Sequence, residues 1–136
     1  MNRIKRESTE KLGCIGGFIW SLVYFMRDMN LSDNEVVKFL LGVLPNLGAA
    51  WAFTMLGKWI ILYTIKKSMT LKIHFVLCAS VLVFAVASEI IHDKLLNSPF
   101  DIWDIILTII AQLVIAFLPF WTKDACFKEL NEKEES

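Results

Sequence analysis

Residues 71–91 read LKIHFVLCASVLVFAVASEII, an apolar run whose charged residues, Lys72 and Glu89, lie close to its two ends. A helix needs roughly 20 predominantly apolar residues to cross a bilayer. Two further runs, 36–62 and 102–121, reach a similar length, and a shorter one covers 12–26. A chain of 136 residues is enough for one domain, so these runs predict a small membrane protein.

The composition agrees with this interpretation. Hydrophobic residues make up 56% of the chain and the mean hydropathy is +0.54, more than a soluble domain usually carries. We predict an all-α, four-helix transmembrane bundle with spans at about 12–27, 36–62, 71–91 and 101–121, followed by a charged tail at 128–136. The first run is short and contains three glycines, so the alternative is three spans plus an N-terminal interfacial helix.

Lysine and arginine are distributed unequally between the two predicted faces. Basic residues mark the cytoplasmic side of a membrane protein. One face collects ten of them: Arg3, Lys5, Arg6, Lys11, Lys66, Lys67, Lys72, Lys123, Lys128 and Lys133. The other face has Arg27, Lys38 and Lys94, and Lys58 is left within a span. Both termini are therefore predicted to be cytoplasmic, and the basic residues are an orientation signal, not a nucleic-acid site.

Several local patterns predict how the helices begin and pack. Ser32 with Glu35 fits a capping box, and Ser98-Pro99 followed by Asp101 at the third helical position repeats the same logic. Small residues at Gly13-x-x-x-Gly17 and Gly48-x-x-x-Ala52 allow close helix approach. Packing within the bundle is the favoured use of these small residues, and a homodimer face is the alternative.

Pro45 lies inside the second predicted span, followed by Asn46. Proline removes a backbone donor and frees carbonyl groups one turn earlier. Two interpretations stay open: a simple kink, which transmembrane helices tolerate, or a broken helix at Pro45 and Asn46 that lines a cavity near the acidic residues.

Acidic residues cluster where the third span ends and the fourth begins. Glu89 and His92 share one helical face, and Asp101 and Asp104 share another. The connection from 93 to 97 is short, so we expect these faces to meet at the outer surface. Because Asp101 is explained by helix capping, Asp104 is the stronger candidate for function.

This cluster is compatible with several chemistries. Its oxygen and imidazole ligands suit a divalent cation, desolvated carboxylates suit proton transfer, and an acid/base pair suits a lipid-borne substrate. A hydrogen-bonded brace between the two helices is the purely structural alternative. The sequence contains no serine nucleophile with a base, no glycine-rich phosphate loop and no repeated metal motif, so no cofactor is assigned and binding is favoured over catalysis.

Two stretches of the chain resemble the VanZ-like membrane proteins. Ser88-Glu89-Ile90-Ile91-His92 and Phe100-Asp101-Ile102-Trp103-Asp104-Ile105-Ile106 are similar to a helix that ends in E-x-x-Q and the D-x-x-D that opens the next. Residues 39–48, with a proline and a glycine after an apolar run, are similar to an earlier helix of that family. The chain departs from the pattern at His92, where the family has Gln, and at Thr108, where an Asn is common.

The resemblance implies an envelope-associated protein of a bacterial, Gram-positive plasma membrane. It implies that Glu89, Asp101 and Asp104 meet a lipid, a lipid-linked wall precursor or a glycopeptide, and that the protein contributes to teicoplanin resistance. The alternatives are an accessory subunit of a larger membrane complex and a metal-dependent enzyme that acts on a lipid-linked substrate.

Overall fold

The computed structural model describes residues 8–29, 34–67, 69–96 and 101–122. They form four α-helices: α1 (Ser8–Asp28), α2 (Glu35–Trp59), α3 (Leu71–Leu96) and α4 (Ile102–Thr122). A five-residue π-helical segment, Ile60–Thr64, continues α2. The predicted four-helix, all-α fold is confirmed, and the observed bounds follow the apolar runs to within a few residues.

Three of the helices are long and apolar enough to cross a membrane: Glu35–Thr64, Leu71–Leu95 and Ile102–Thr122. Helix α1 packs against α2 in the antiparallel direction. Thr9 meets Lys58 near one end of the pair, and Trp20 meets Gly48 farther along. Helix α1 is not among these three candidate spans, and it runs lengthwise beside one of them. The bundle of four spans and its alternative with three spans therefore both stay predictions.

The contact between α1 and α2 depends on two glycines. A Cβ added to Gly16 would lie 2.6 Å from the carbonyl oxygen of Gly48, and a Cβ added to Gly48 would lie 2.5 Å from the carbonyl oxygen of Gly16. Each backbone thus occupies the space of a side chain on the other helix. The predicted use of the small residues for packing within the bundle is confirmed: a Cβ added to Gly13 would meet Met55, and the close approach of the two backbones is made by Gly16 with Gly48.

Helices α2 and α4 run parallel to each other. Trp51 Nε1 donates a hydrogen bond to the carbonyl oxygen of Ala111 over 2.9 Å, and one turn farther along α2 Thr54 contacts Gln112. Cys78, Ile115 and Ala116 form a small buried core cluster, and Leu12 of α1 and Trp51 of α2 pack against it. The start of α1, the end of α2, the start of α3 and the end of α4 therefore lie at one end of the bundle.

Both predicted helix starts require correction. Helix α2 begins at Glu35, and its N-cap is Asn34, whose Oδ1 accepts from the Val36 N–H at 2.9 Å. Helix α4 begins at Ile102, and Asp101 Oδ1 accepts from the Trp103 N–H at 2.9 Å. Asn and Asp cap helices as well as Ser does, and here the residue immediately before each helix is used. Ser32, Ser98 and Pro99 lie outside the described residues, as does the predicted tail at 128–136.

Helix α2 is continuous through Pro45 and Asn46. The broken-helix interpretation of these residues is therefore corrected to an unbroken helix with a buried proline inside it. Loss of one backbone donor is tolerated in such a helix because its other hydrogen bonds persist on both sides.

Candidate functional site: an amphipathic groove between three helices

A groove of about 700 Å³ lies between α2, α3 and α4. Its walls are mostly apolar and include Phe53, Leu56, Ile60, Leu77 and Phe84. Asn46, Ser88, Glu89 and Asp104 line one end, and the hydroxyl residues Ser80 and Thr108 line the groove farther along. Cavities of roughly 300–1,000 Å³ with apolar walls and a few polar groups are typical of small-molecule sites. We call this feature the groove and its polar part the acidic end.

The acidic end combines one carboxylate from each of two helices. Glu89 is half-buried on the last third of α3, and Asp104 is half-buried in the first turn of α4. The two carboxylates are close enough to repel each other electrostatically. Asn46 on α2 lines the same end of the groove, where its side-chain amide interacts favourably with the Asp104 carboxylate. Three helices therefore meet at this point through polar side chains.

The other two predicted site residues lie at the rim. His92 and Asp101 are exposed and do not line the groove. Both lie near enough to Glu89 to act on it electrostatically. Asp101 has a local role, because its carboxylate caps α4. The structure thus brings all four residues to one end of the bundle, and it separates Glu89 and Asp104, which face the groove, from His92 and Asp101, which do not.

Towards its other end the groove is narrowed by a contact between α2 and α3, and Ile60 lines it one turn beyond this contact. A Cβ added to Gly57 would lie 2.5 Å from Cδ1 of Leu77. From Asn46 to Gly57 is 11 residues of helix, which corresponds to about 16 Å at 1.5 Å per residue. Between this contact and the acidic end, the lining residues Phe53, Leu56 and Phe84 are exposed. The groove is therefore open sideways between α2 and α3, towards the lipid.

A second polar feature, absent from the sequence prediction, connects α2 and α4. Asn46, Thr54 and Lys58 repeat at helical spacing on α2, and Asp104, Thr108 and Gln112 do so on α4. Gln112 Nε2 donates to the carbonyl oxygen of Ala50 and to Thr54 Oγ1, both at 3.1 Å. Such interhelical bonds stabilise packing in lipid. The signal in the sequence that could have revealed this polar contact is the four-residue spacing of polar side chains within the apolar runs.

Lys58 and His74 are buried polar residues outside the groove. Lys58 is 2% exposed, and its Nζ donates to Thr9 Oγ1 over 2.9 Å. His74 Nε2 lies 3.0 Å from the carbonyl oxygen of Ile115. Within the described ranges every buried side-chain nitrogen and oxygen has a hydrogen-bond partner. These groups tie α1 to α2 and α3 to α4.

Metal binding was one of the chemistries predicted for the acidic end. Among the residues that the structure describes, no three His, Cys, Asp or Glu side chains are grouped so that they could hold a metal ion. The divalent cation therefore stays a prediction, without an assigned set of ligands.

Comparisons with protein families, with characterised proteins and with solved structures give no match to this chain. The resemblance to the VanZ-like proteins therefore rests on its sequence motifs and stays a prediction.

Proposed function

We propose that this membrane protein binds a lipid or another long-chain amphiphile in the groove, with the apolar tail between α2 and α3 and the head at the acidic end. One observation carries the proposal: a single cavity combines a long apolar wall with Asn46, Ser88, Glu89 and Asp104 at one end. An amphiphile has the same division into an apolar and a polar part.

The energetics favour such an occupant. Each methylene group moved from water into an apolar site contributes about 0.8 kcal/mol, although a tail that comes from the bilayer gains much less because it is already in hydrocarbon. Differences in affinity between ligands must therefore come from the contacts of the head group. Carboxylates inside a spanning segment are costly unless they are paired, and a bound head group with hydrogen-bond donors would offset that cost at Glu89 and Asp104.

A test is to measure the lipid that remains bound after purification. Ala85 lines the groove, whereas Ala87 is exposed on the same helix and does not line it. After extensive washing, we expect about one bound lipid molecule per protein molecule in the wild type and in Ala87→Phe. Ala85→Phe should retain much less lipid, because the added ring occupies the groove. Equal lipid content in the two phenylalanine variants would refute binding in the groove.

The resemblance to VanZ-like proteins supports a narrower form of the proposal, in which the ligand is an envelope lipid, a lipid-linked wall precursor or a glycopeptide. In this form the protein acts at the outer face of a bacterial plasma membrane. Its expression in a teicoplanin-susceptible Gram-positive host should raise the inhibitory concentration of teicoplanin. Glu89→Gln should remove that increase at equal expression, and an unchanged increase in the variant would separate resistance from the groove.

A further inference from the structure

The charge of the groove-lining residues selects among amphiphiles. Of the groups that line the groove, Glu89 and Asp104 are the ionisable ones, and both are acids. The groups outside the groove that act on them electrostatically include the carboxylate of Asp101, the imidazole of His92 and the guanidinium of Arg27. Carboxylates therefore dominate the polar end, and an anionic head placed there would meet like charge in a medium of low dielectric constant.

The hydrogen-bonding capacity of the acidic end further restricts the kind of head group that it can bind. An ionised carboxylate only accepts hydrogen bonds, and a primary ammonium group has three donors and no acceptor. Glu89 and Asp104 approach the acidic end from two different helices, and the hydroxyl of Ser88 lies one residue before Glu89. Three acceptor groups thus line this end of the groove, as many as the ammonium group has N–H donors. Hydrogen bonds between ionised partners are about twice as strong as neutral ones.

The shape of the groove indicates how the ligand enters it. Phe53 and Leu56 on α2 and Phe84 on α3 line the groove, and all three are exposed. Gly57 and Leu77 narrow the groove farther along, and Ile60 lines it beyond them. A tail of about 16 Å, the length of helix between Asn46 and Gly57, can enter sideways from the bilayer without passing through water.

From this geometry we propose that the ligand is a membrane lipid whose head carries a primary amine, held as its ammonium ion between Glu89 and Asp104. This inference rests on the proposed function and adds the class of head group. The bond formed is non-covalent, and the ammonium neutralises one of two carboxylates that otherwise repel each other.

The inference is tested by native mass spectrometry of the delipidated full chain in a neutral detergent, with three probes of equal tail length. The probes are dodecylammonium, dodecyltrimethylammonium and dodecanoate. We expect dodecylammonium to bind about tenfold more tightly than the trimethyl probe, which has no N–H donor, and more tightly still than dodecanoate. Glu89→Gln with Asp104→Asn should reduce the three affinities to similar values, while Asp101→Asn, outside the groove, should keep the wild-type order.

Each outcome has a separate meaning. Similar affinities for the three probes in the wild type, all lost in Ala85→Phe, would overturn the amine assignment and leave the amphiphile site standing. Equal binding of both ammonium probes would overturn the requirement for N–H donors. A wild-type protein that binds none of the three probes would refute the proposed function itself. A wild-type dimer that none of the probes dissociates would refute it as well. If the double variant does not fold, Glu89→Gln alone should reduce the preference for dodecylammonium over dodecanoate.

Discussion

Glu89 of α3 and Asp104 of α4 line the same end of one groove, although they lie on different helices. Their positions differ from those of the neighbouring acid and imidazole, Asp101 and His92, which are exposed at the rim. This difference divides a cluster that is uniform in sequence into two groove residues and two surface residues. It also provides matched pairs of variants for separating a binding role from a structural one.

The first prediction compares Asp104→Asn with Asp101→Asn. Asp104 faces the groove, so removal of its charge should weaken dodecylammonium binding by about tenfold, equivalent to about 1.4 kcal/mol. Asp101 caps α4 through Oδ1, and asparagine caps helices equally well. Asp101→Asn should therefore leave thermal stability unchanged and weaken binding much less than Asp104→Asn, because Asp101 does not line the groove. Equal losses of affinity in the two variants would show that general surface charge, and not the groove, attracts the ligand.

The second prediction concerns Gly16 and Gly42. Gly16→Ala should lower the free energy of unfolding by about 1–3 kcal/mol, because its Cβ would meet the backbone of Gly48. A Cβ at Gly42 would have nothing within 4 Å, so Gly42→Ala should be neutral or stabilise α2 by up to about 1 kcal/mol. Reversible unfolding in mixed micelles measures both. The same sign of change at the two positions would contradict the observed α1–α2 packing.

The third prediction concerns the hydrogen bonds between Thr54 and Gln112. Each of the single variants Thr54→Val and Gln112→Leu should lower stability, and the double variant should lose less than their sum. Coupling energies of interhelical hydrogen bonds in membranes average about 0.6 kcal/mol and reach about 1.7. A double-mutant cycle in mixed micelles measures the coupling. Strict additivity would show that the contact of 3.1 Å between Gln112 Nε2 and Thr54 Oγ1 contributes no net energy.

The fourth prediction concerns orientation. The distribution of basic residues predicts that the acidic end faces outwards. In a variant without native cysteines, a membrane-impermeant maleimide added to intact cells should label Asp101→Cys and should not label Lys67→Cys. Permeabilised cells should show labelling of both. The reverse pattern in intact cells would place the acidic end in the cytoplasm and would exclude an outer-face role.

The spans were predictable because they depend on the composition of consecutive residues. The runs 71–91 and 102–121 appear in the structure as α3 and α4, extended at the C-terminal end by five residues and by one. The caps were placed less accurately, because Ser32 and Asn34 are both good capping residues and sequence does not rank them. The short connection after α3 also led correctly to the expectation that Glu89 and Asp104 lie at the same end of the bundle.

The groove could not be predicted in the same way. It lies between three helices, with α2 and α3 in contact at Gly57 and Leu77 and with Phe53 and Phe84 in its lining, and this depends on the packing of helices that are far apart in sequence. Asn46 illustrates the difficulty. Sequence places it beside Pro45 and indicates a disturbed backbone, whereas the structure shows an intact helix and a side chain directed to Asp104.

The most direct test of the central claim is photolabelling in phospholipid vesicles with a long-chain alkylamine that carries a diazirine near the end of its tail. We predict that mass spectrometry will find the label on the groove residues Leu56, Ile60 and Leu77, and that Ala85→Phe will lose this labelling while Ala87→Phe keeps it. Labelling confined to lipid-facing residues outside the groove, such as Leu113 and Phe117 on α4, or labelling of the groove that is unchanged in Ala85→Phe, would contradict the claim.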